Sequence, residues 1–159
     1  MVLSTHIVAG GAVAVIFPSH PITAFFVGFS LHYVMDTIPH WDYEVDSIFK
    51  KKIDRPLITD MVHICADVLI GLLIVIIIWI PNNIEQLKVL ALAIAGSLLP
   101  DLLQLLYKRF PLRPMKFIQK IHDFFHGEYR LRNRYFSGVI LQTIIVICMI
   151  LLTKYLIGL

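Results

Sequence analysis

With 159 residues, the chain has the length of one domain. Apolar residues make up 58% of it and charged residues only 16%, which excludes an ordinary soluble protein and predicts a single integral membrane domain over residues 1–159. The formal net charge is +3, and the two cysteines, far apart in apolar runs, exclude a disulfide framework and a cysteine-based zinc finger.

Apolar segments separated by turns and polar stretches predict an all-α, polytopic helical membrane protein. There are about five such segments, at residues 3–17, 22–38, 57–80, 84–107 and 135–156. The last three are long enough for spanning helices, which need about 20 apolar residues, whereas the first two are shorter. Between the fourth and fifth segments, residues 115–125 lie in a basic stretch and predict one amphipathic helix at the membrane interface.

Alternate crossings of these segments place most of the ionisable residues on one side of the membrane. The N-terminus and the polar stretches around residues 40–55 and 108–134 then share that side, and His20 is the one histidine of seven that does not. The basic residues lie there too, so the positive-inside rule predicts a cytoplasmic N-terminus. Beside membrane segments, these basic stretches favour anionic lipid headgroups over nucleic acid as partners.

Histidine and aspartate recur four residues apart, the spacing that places two side chains on one face of a helix. Three pairs have this spacing: His32 and Asp36, His63 and Asp67, and His122 and His126. A carboxylate in an apolar run is costly unless a cation or a hydrogen bond compensates it. Imidazole and carboxylate are ligands that Zn²⁺ accepts. The pairs therefore predict a metal site; the alternative is helix-to-helix hydrogen bonding or interfacial anchoring.

Other candidate residues lie near the same ends of the segments. His40 and Asp42 follow the second segment after Pro39, Asp101 lies near the end of the fourth, and His6 begins the first. The chain has no phosphate loop, no HExxH motif and no GxSxG elbow. Water activated by a metal is the hydrolytic chemistry for which the sequence shows the parts.

Thr5-His6 followed by Gly10, then Leu98-Leu99-Pro100-Asp101 and a later histidine pair, resembles the membrane-bound metal-dependent hydrolase family. That family is also described as LexA-binding, inner-membrane-associated hydrolases, and it is distantly related to zinc-dependent phospholipase C. The resemblance implies two or three Zn²⁺ ions and a prokaryotic inner or plasma membrane. The metal ligands that it implies are, in chain order, His6, Asp36, His40, His63, Asp67, Asp101, His122 and His126.

We therefore expect a hydrolase that cleaves the phosphoester of a membrane lipid or a polyprenyl phosphate at the cytoplasmic interface. His32 or Asp42 would relay a proton, and Arg55 and Arg130 would hold the phosphate. Two alternatives stay open. One is a non-catalytic metal-binding scaffold or adaptor; the other is a transporter, because ionisable residues within spans also line transport paths.

Overall fold

The computed structural model describes residues 1–43, 45, 47, 55–126 and 134–158. In these residues the chain is all α-helical, without a strand, which confirms the predicted class. The helices are α1 (Leu3–Ile16), α2 (Pro21–Asp36), α3 (Arg55–Ile78), α4 (Ile84–Arg109), α5 (Met115–His126) and α6 (Tyr135–Ile157).

Three of the helices, α3, α4 and α6, are long and apolar enough to cross a membrane, which is consistent with membrane association. The first two predicted segments form shorter helices: α1 has 14 residues and α2 has 16. The structure thus supports three spans by length and composition, where the sequence predicted about five apolar segments of which two were short.

The short helix α1 is the centre of the bundle. It packs against α2, α3, α4 and α6, and most of its side chains are buried. The backbones of α3 and α4 nowhere approach each other within the described residues, because both lie against α1 instead. A space therefore remains between these two long helices wherever α1 does not fill it.

Glycines bring α2 and α4 into close contact. A Cβ atom built on Gly28 of α2 would lie 2.5 Å from the carbonyl oxygen of Ala93, and one built on Gly96 of α4 would collide with the carbonyl group of Phe25. Small residues allow such backbone approach between membrane helices. The close crossing holds the end of α2 beside the end of α4, where the candidate ligands lie.

Polar contacts gather the helix ends at one end of the bundle. The side chain of Gln142 in α6 accepts a hydrogen bond from the Val2 N–H at 3.0 Å and donates one to the Trp41 carbonyl at 2.8 Å. We call this the histidine end, because five of the histidines lie there: His6, His32, His40, His122 and His126.

The amphipathic helix α5 packs against α2 and α4 at the histidine end. Its inner face carries the buried His122 and His126. The opposite face carries Phe117 and Phe124, which are 70% and 80% exposed. The predicted amphipathic helix is therefore present, and it brings two histidines to the bundle.

Candidate metal centre

Side chains from three helices and one loop, all buried except the partly exposed Asp101, form two overlapping groups with the spacing of metal ligands. The first group is His32, Asp36, Asp101 and His122, and the second is Asp36, His40 and His126. In each group, one ligand atom of every residue lies within 4.8 Å of the others. Because Asp36 belongs to both groups, its carboxylate can bridge two neighbouring cation positions.

The first group has nearly the dimensions of a tetrahedral site. Asp36 Oδ2 lies 3.1 Å from His32 Nε2, and Asp101 Oδ1 lies 3.3 Å from His122 Nε2. Each carboxylate also lies near the other histidine: Asp36 Oδ2 is 4.0 Å from His122 Nε2, and Asp101 Oδ1 is 3.7 Å from His32 Nε2. Ligands about 2.0–2.1 Å from a tetrahedral Zn²⁺ are roughly 3.3–3.4 Å apart. The observed spacing therefore fits a zinc ion.

Several buried atoms of this cluster form no hydrogen bond with the part of the chain that the structure describes, although Nε2 of His32 and Nε2 of His6 lie 3.1 and 3.3 Å from the Asp36 carboxylate. They are Nδ1 and Nε2 of His6, Nε2 of His32, Nε2 of His40 and Oδ2 of Asp36. An unpaired buried polar atom costs about 1–3 kcal/mol, so such atoms are rare in folded proteins. A cation among these atoms could accept their lone pairs, so the cluster is able to bind a metal ion.

Backbone carbonyls orient two of the imidazole rings. His32 donates from Nδ1 to the carbonyl oxygen of Ser97 at 2.8 Å, and His40 donates from Nδ1 to that of Ile38 at 2.7 Å. A proton on Nδ1 leaves the lone pair on Nε2, the atom that faces the cluster. Burial lowers the pKa of His40 to about 4, so this ring is neutral at neutral pH.

Two residues that sequence reasoning missed, Ser97 and Gln104, support the ligands from α4. The amide nitrogen of Gln104 lies 3.1 Å from Nδ1 of His122 and forms a hydrogen bond with that ring atom. The hydroxyl group of Ser97 donates to the His6 carbonyl at 2.7 Å. Ser97, Asp101 and Gln104 are four and three residues apart in an apolar helix, and this polar stripe could have identified them.

His6 adjoins the cluster but belongs to neither group. Its ring stacks on that of His32 with centroids 4.0 Å apart, and its Nε2 lies 3.3 Å from Asp36 Oδ1. The α-amino group of Met1 also donates to this oxygen, at 2.9 Å. Both oxygens of Asp36 therefore face nitrogen atoms.

The third sequence pair, His63 and Asp67, lies apart from both groups in the described residues. Asp67 accepts hydrogen bonds from the N–H groups of Leu3 at 2.6 Å and Ser4 at 3.2 Å, and from the Tyr43 hydroxyl group at 3.2 Å. It therefore caps the N-terminus of α1. Such a cap is needed because the residue preceding α1 is a valine, which has no side-chain acceptor. His63 is an exposed residue of α3.

The residues predicted for proton relay and phosphate binding lie in different places. His32 is part of the first ligand group. Asp42 lines a cavity next to Asp101. Arg55 is an exposed residue at the start of α3. Arg130 lies outside the described residues.

Compared with known proteins, the chain matches no family model, no curated protein and no solved structure. The fold and the site define an all-α protein with three helices long enough to cross a membrane and a buried histidine–aspartate cluster able to bind a metal ion.

Proposed function

We propose that this chain is an integral membrane hydrolase that binds two Zn²⁺ ions at the histidine end and cleaves a phosphoester of a membrane lipid or a polyprenyl phosphate. The observation that carries the proposal is the position of Asp36 in both ligand groups, with its Oδ2 atom 3.1 Å from His32 Nε2 and 3.7 Å from His126 Nε2. Two metal ions about 3.5–4 Å apart are characteristic of phosphatases and nucleases. His6, whose Nε2 lies 3.3 Å from Asp36 Oδ1, is the candidate ligand for a third ion.

The chemistry of the ligands supports zinc. Both groups consist of imidazoles and carboxylates, without cysteine. This mixture of borderline and hard donors suits Zn²⁺, and it is the type found in hydrolytic sites. When bound, Zn²⁺ polarises a phosphoryl oxygen and lowers the pKa of water that it binds.

Hydrolysis of a phosphoester forms one phosphorus–oxygen bond and breaks another. The oxygen of a water molecule bonds to phosphorus, and the bond to the alcohol oxygen breaks. The attacking water releases a proton, and the departing alcohol needs one. In this proposal Asp42 exchanges that proton, because it lines the cavity next to Asp101. The cationic side chains of Arg55, Arg130 and Lys108 are the candidates for holding the phosphate.

The orientation in the membrane is part of the proposal. Basic residues are concentrated at the end of α4, in the loop after it and in α5, namely Lys108, Arg109, Arg113, Lys116 and Lys120. The positive-inside rule favours a cytoplasmic location for such a concentration. The N-terminus and the metal centre would then face the cytoplasm, at the depth of the lipid phosphates.

The test is hydrolysis by the purified, zinc-loaded protein of bis(4-nitrophenyl) phosphate and of a panel of lipid phosphates. Asp101→Asn removes a ligand charge, and we expect it to lower turnover by at least ~100-fold. The matched control is Asp123→Asn, an exposed aspartate of α5 outside both ligand groups, which should keep full turnover. Stoichiometric zinc without turnover on any of these substrates would reject the hydrolase and favour the scaffold.

A further inference from the structure

A cavity of about 290 Å³ adjoins the metal centre between α3 and α4. Asp101 belongs both to its wall and to the first ligand group. Most of the remaining wall is aliphatic, with side chains of Leu3, Val45, Ile64, Leu98, Leu102 and Leu105. An apolar cavity that shares a wall with a metal centre is the default binding site for the apolar part of a ligand.

Within the described residues, the cavity lies where the bundle has a gap. In the described residues α3 and α4 do not approach each other, and α1 separates them only as far as its first residue, Leu3. Both flanking helices are long enough to cross a membrane. Leu102, in the cavity wall, is 50% exposed. Apolar surface of the kind that faces lipid therefore adjoins the cavity wall at Leu102.

The cavity wall carries both charged and aliphatic side chains, as an amphiphile requires. Leu98, Asp101 and Lys108 lie on one side of α4 and all three line the cavity. Lys108 is about 10 Å from Asp101 along the helix axis, towards the histidine end, at 1.5 Å per residue. Leu98 lies one turn in the other direction, deeper in the bundle. An anionic group therefore fits beside Asp101 at the metal centre, and an apolar chain fits along the aliphatic wall of Leu98, Leu102, Leu105 and Ile64.

We infer that this cavity binds the chain of a single-chain amphiphile, with its phosphate at the metal centre. The volume corresponds to roughly ten water-sized units of ~30 Å³ each, which is room for part of one chain and not for two. The position of the phosphate rests on the proposed function, whereas binding of the chain does not require turnover.

The experiment is photo-crosslinking in bilayers of neutral diacyl lipid that contain the zinc-loaded protein. The probe is a monoalkyl phosphate with a diazirine in its chain, and labelled residues are located by mass spectrometry. We expect labels in the segments around Ile64 and Leu105. Unlabelled monoalkyl phosphate and unlabelled farnesyl phosphate should each compete with the probe. The relative strength of the two competitors shows whether the cavity prefers a straight chain or an isoprenoid chain. Dialkyl phosphate and methyl phosphate should not compete.

Matched variants test the cavity itself. Leu105→Trp fills the space, as does Ile64→Trp from the opposite wall, and each should lower labelling at least ~10-fold. Leu106→Trp is the control, because Leu106 is 39% exposed and does not line the cavity. Zinc content equal to that of the parent shows that each variant is folded.

Equal labelling of Leu105→Trp and Leu106→Trp, or equal competition by dialkyl phosphate, would overturn the inference. The inference and the proposed function fail separately. Labelling of the cavity without turnover of any phosphoester rejects the hydrolase and keeps the chain site. Turnover of bis(4-nitrophenyl) phosphate without labelling of the cavity rejects the chain site and keeps the hydrolase.

Discussion

Histidine followed four residues later by aspartate occurs in α2 and again in α3, and the two copies have different surroundings. In α2, Asp36 is 3% exposed and lies within 4.0 Å of ring nitrogens from four histidines. In α3, Asp67 binds the first N–H groups of α1, and His63 is exposed. The same local spacing thus contributes to a candidate metal centre in one helix and to a helix cap in the other.

The difference shows two ways to compensate a carboxylate in an apolar bundle. The N-terminus of a helix carries about half a positive charge on unpaired N–H groups, which is enough for one aspartate. Asp67 has this partner. Asp36 accepts a hydrogen bond from the α-amino group of Met1 and also faces the rings of four histidines. At His32 and His40 the Nδ1 proton leaves a lone pair on Nε2, which a metal cation would accept.

The largest effect on zinc binding is expected from Asp36→Asn, which removes the carboxylate that both ligand groups share. We expect zinc affinity to fall by more than ~100-fold, because the substitution affects both cation positions. Elemental analysis of the purified protein measures the loss. Asp67→Asn is the matched control and should retain the zinc of the parent. If the two variants contained equal amounts of zinc, the His-Asp pair of α2 and the His-Asp pair of α3 would not differ in their role.

The next largest change in zinc affinity is expected from substitution of a histidine in the first ligand group. His122→Ala removes a ligand of the first group and should lower zinc affinity ~10- to 100-fold, measured by competition with a chelator. His63→Ala removes an exposed imidazole of α3 and should leave the affinity unchanged. If His63→Ala lowered zinc affinity as much as His122→Ala, the pair in α3 would belong to the metal centre.

A smaller effect is expected from Gln104→Leu, which removes the partner of Nδ1 in His122. Without that partner the ring loses its orientation, and we expect about tenfold weaker zinc binding. Gln86→Leu, at the exposed start of α4, is the control. Unchanged affinity in Gln104→Leu would mean that packing alone orients His122.

The smallest effect concerns stability rather than metal. Asp67→Ala removes the cap of α1 and should lower the free energy of unfolding by about 1 kcal/mol, with full zinc retained. Thermal unfolding in detergent, with His63→Ala as the neighbouring control, measures the change. A loss of zinc that parallels the loss of stability would contradict the assignment of Asp67 to the cap.

Much of the helical structure could be predicted from local pattern. Apolar runs bounded by Pro18–Pro21, Pro39 and Pro81 predicted the segments that became α1 to α4 within a few residues. The site was predicted only in part. Asp36, Asp101 and His122 were among the candidates and lie together, but Ser97 and Gln104 were missed, although they form a polar stripe with Asp101 on one face of an apolar helix.

The sequence by itself determined the helical class, the apolar character and the pairs of side chains that share a helix face. These properties depend on residues within one or two turns of each other. Only the tertiary structure decided what each face meets. Gly28 and Gly96 bring α2 against α4, so Asp36 meets Asp101 and the histidines of α5. The N-terminus of α1 lies against α3, so Asp67 meets backbone N–H groups instead. Contacts between segments this far apart in the chain depend on packing, which a four-residue spacing does not encode.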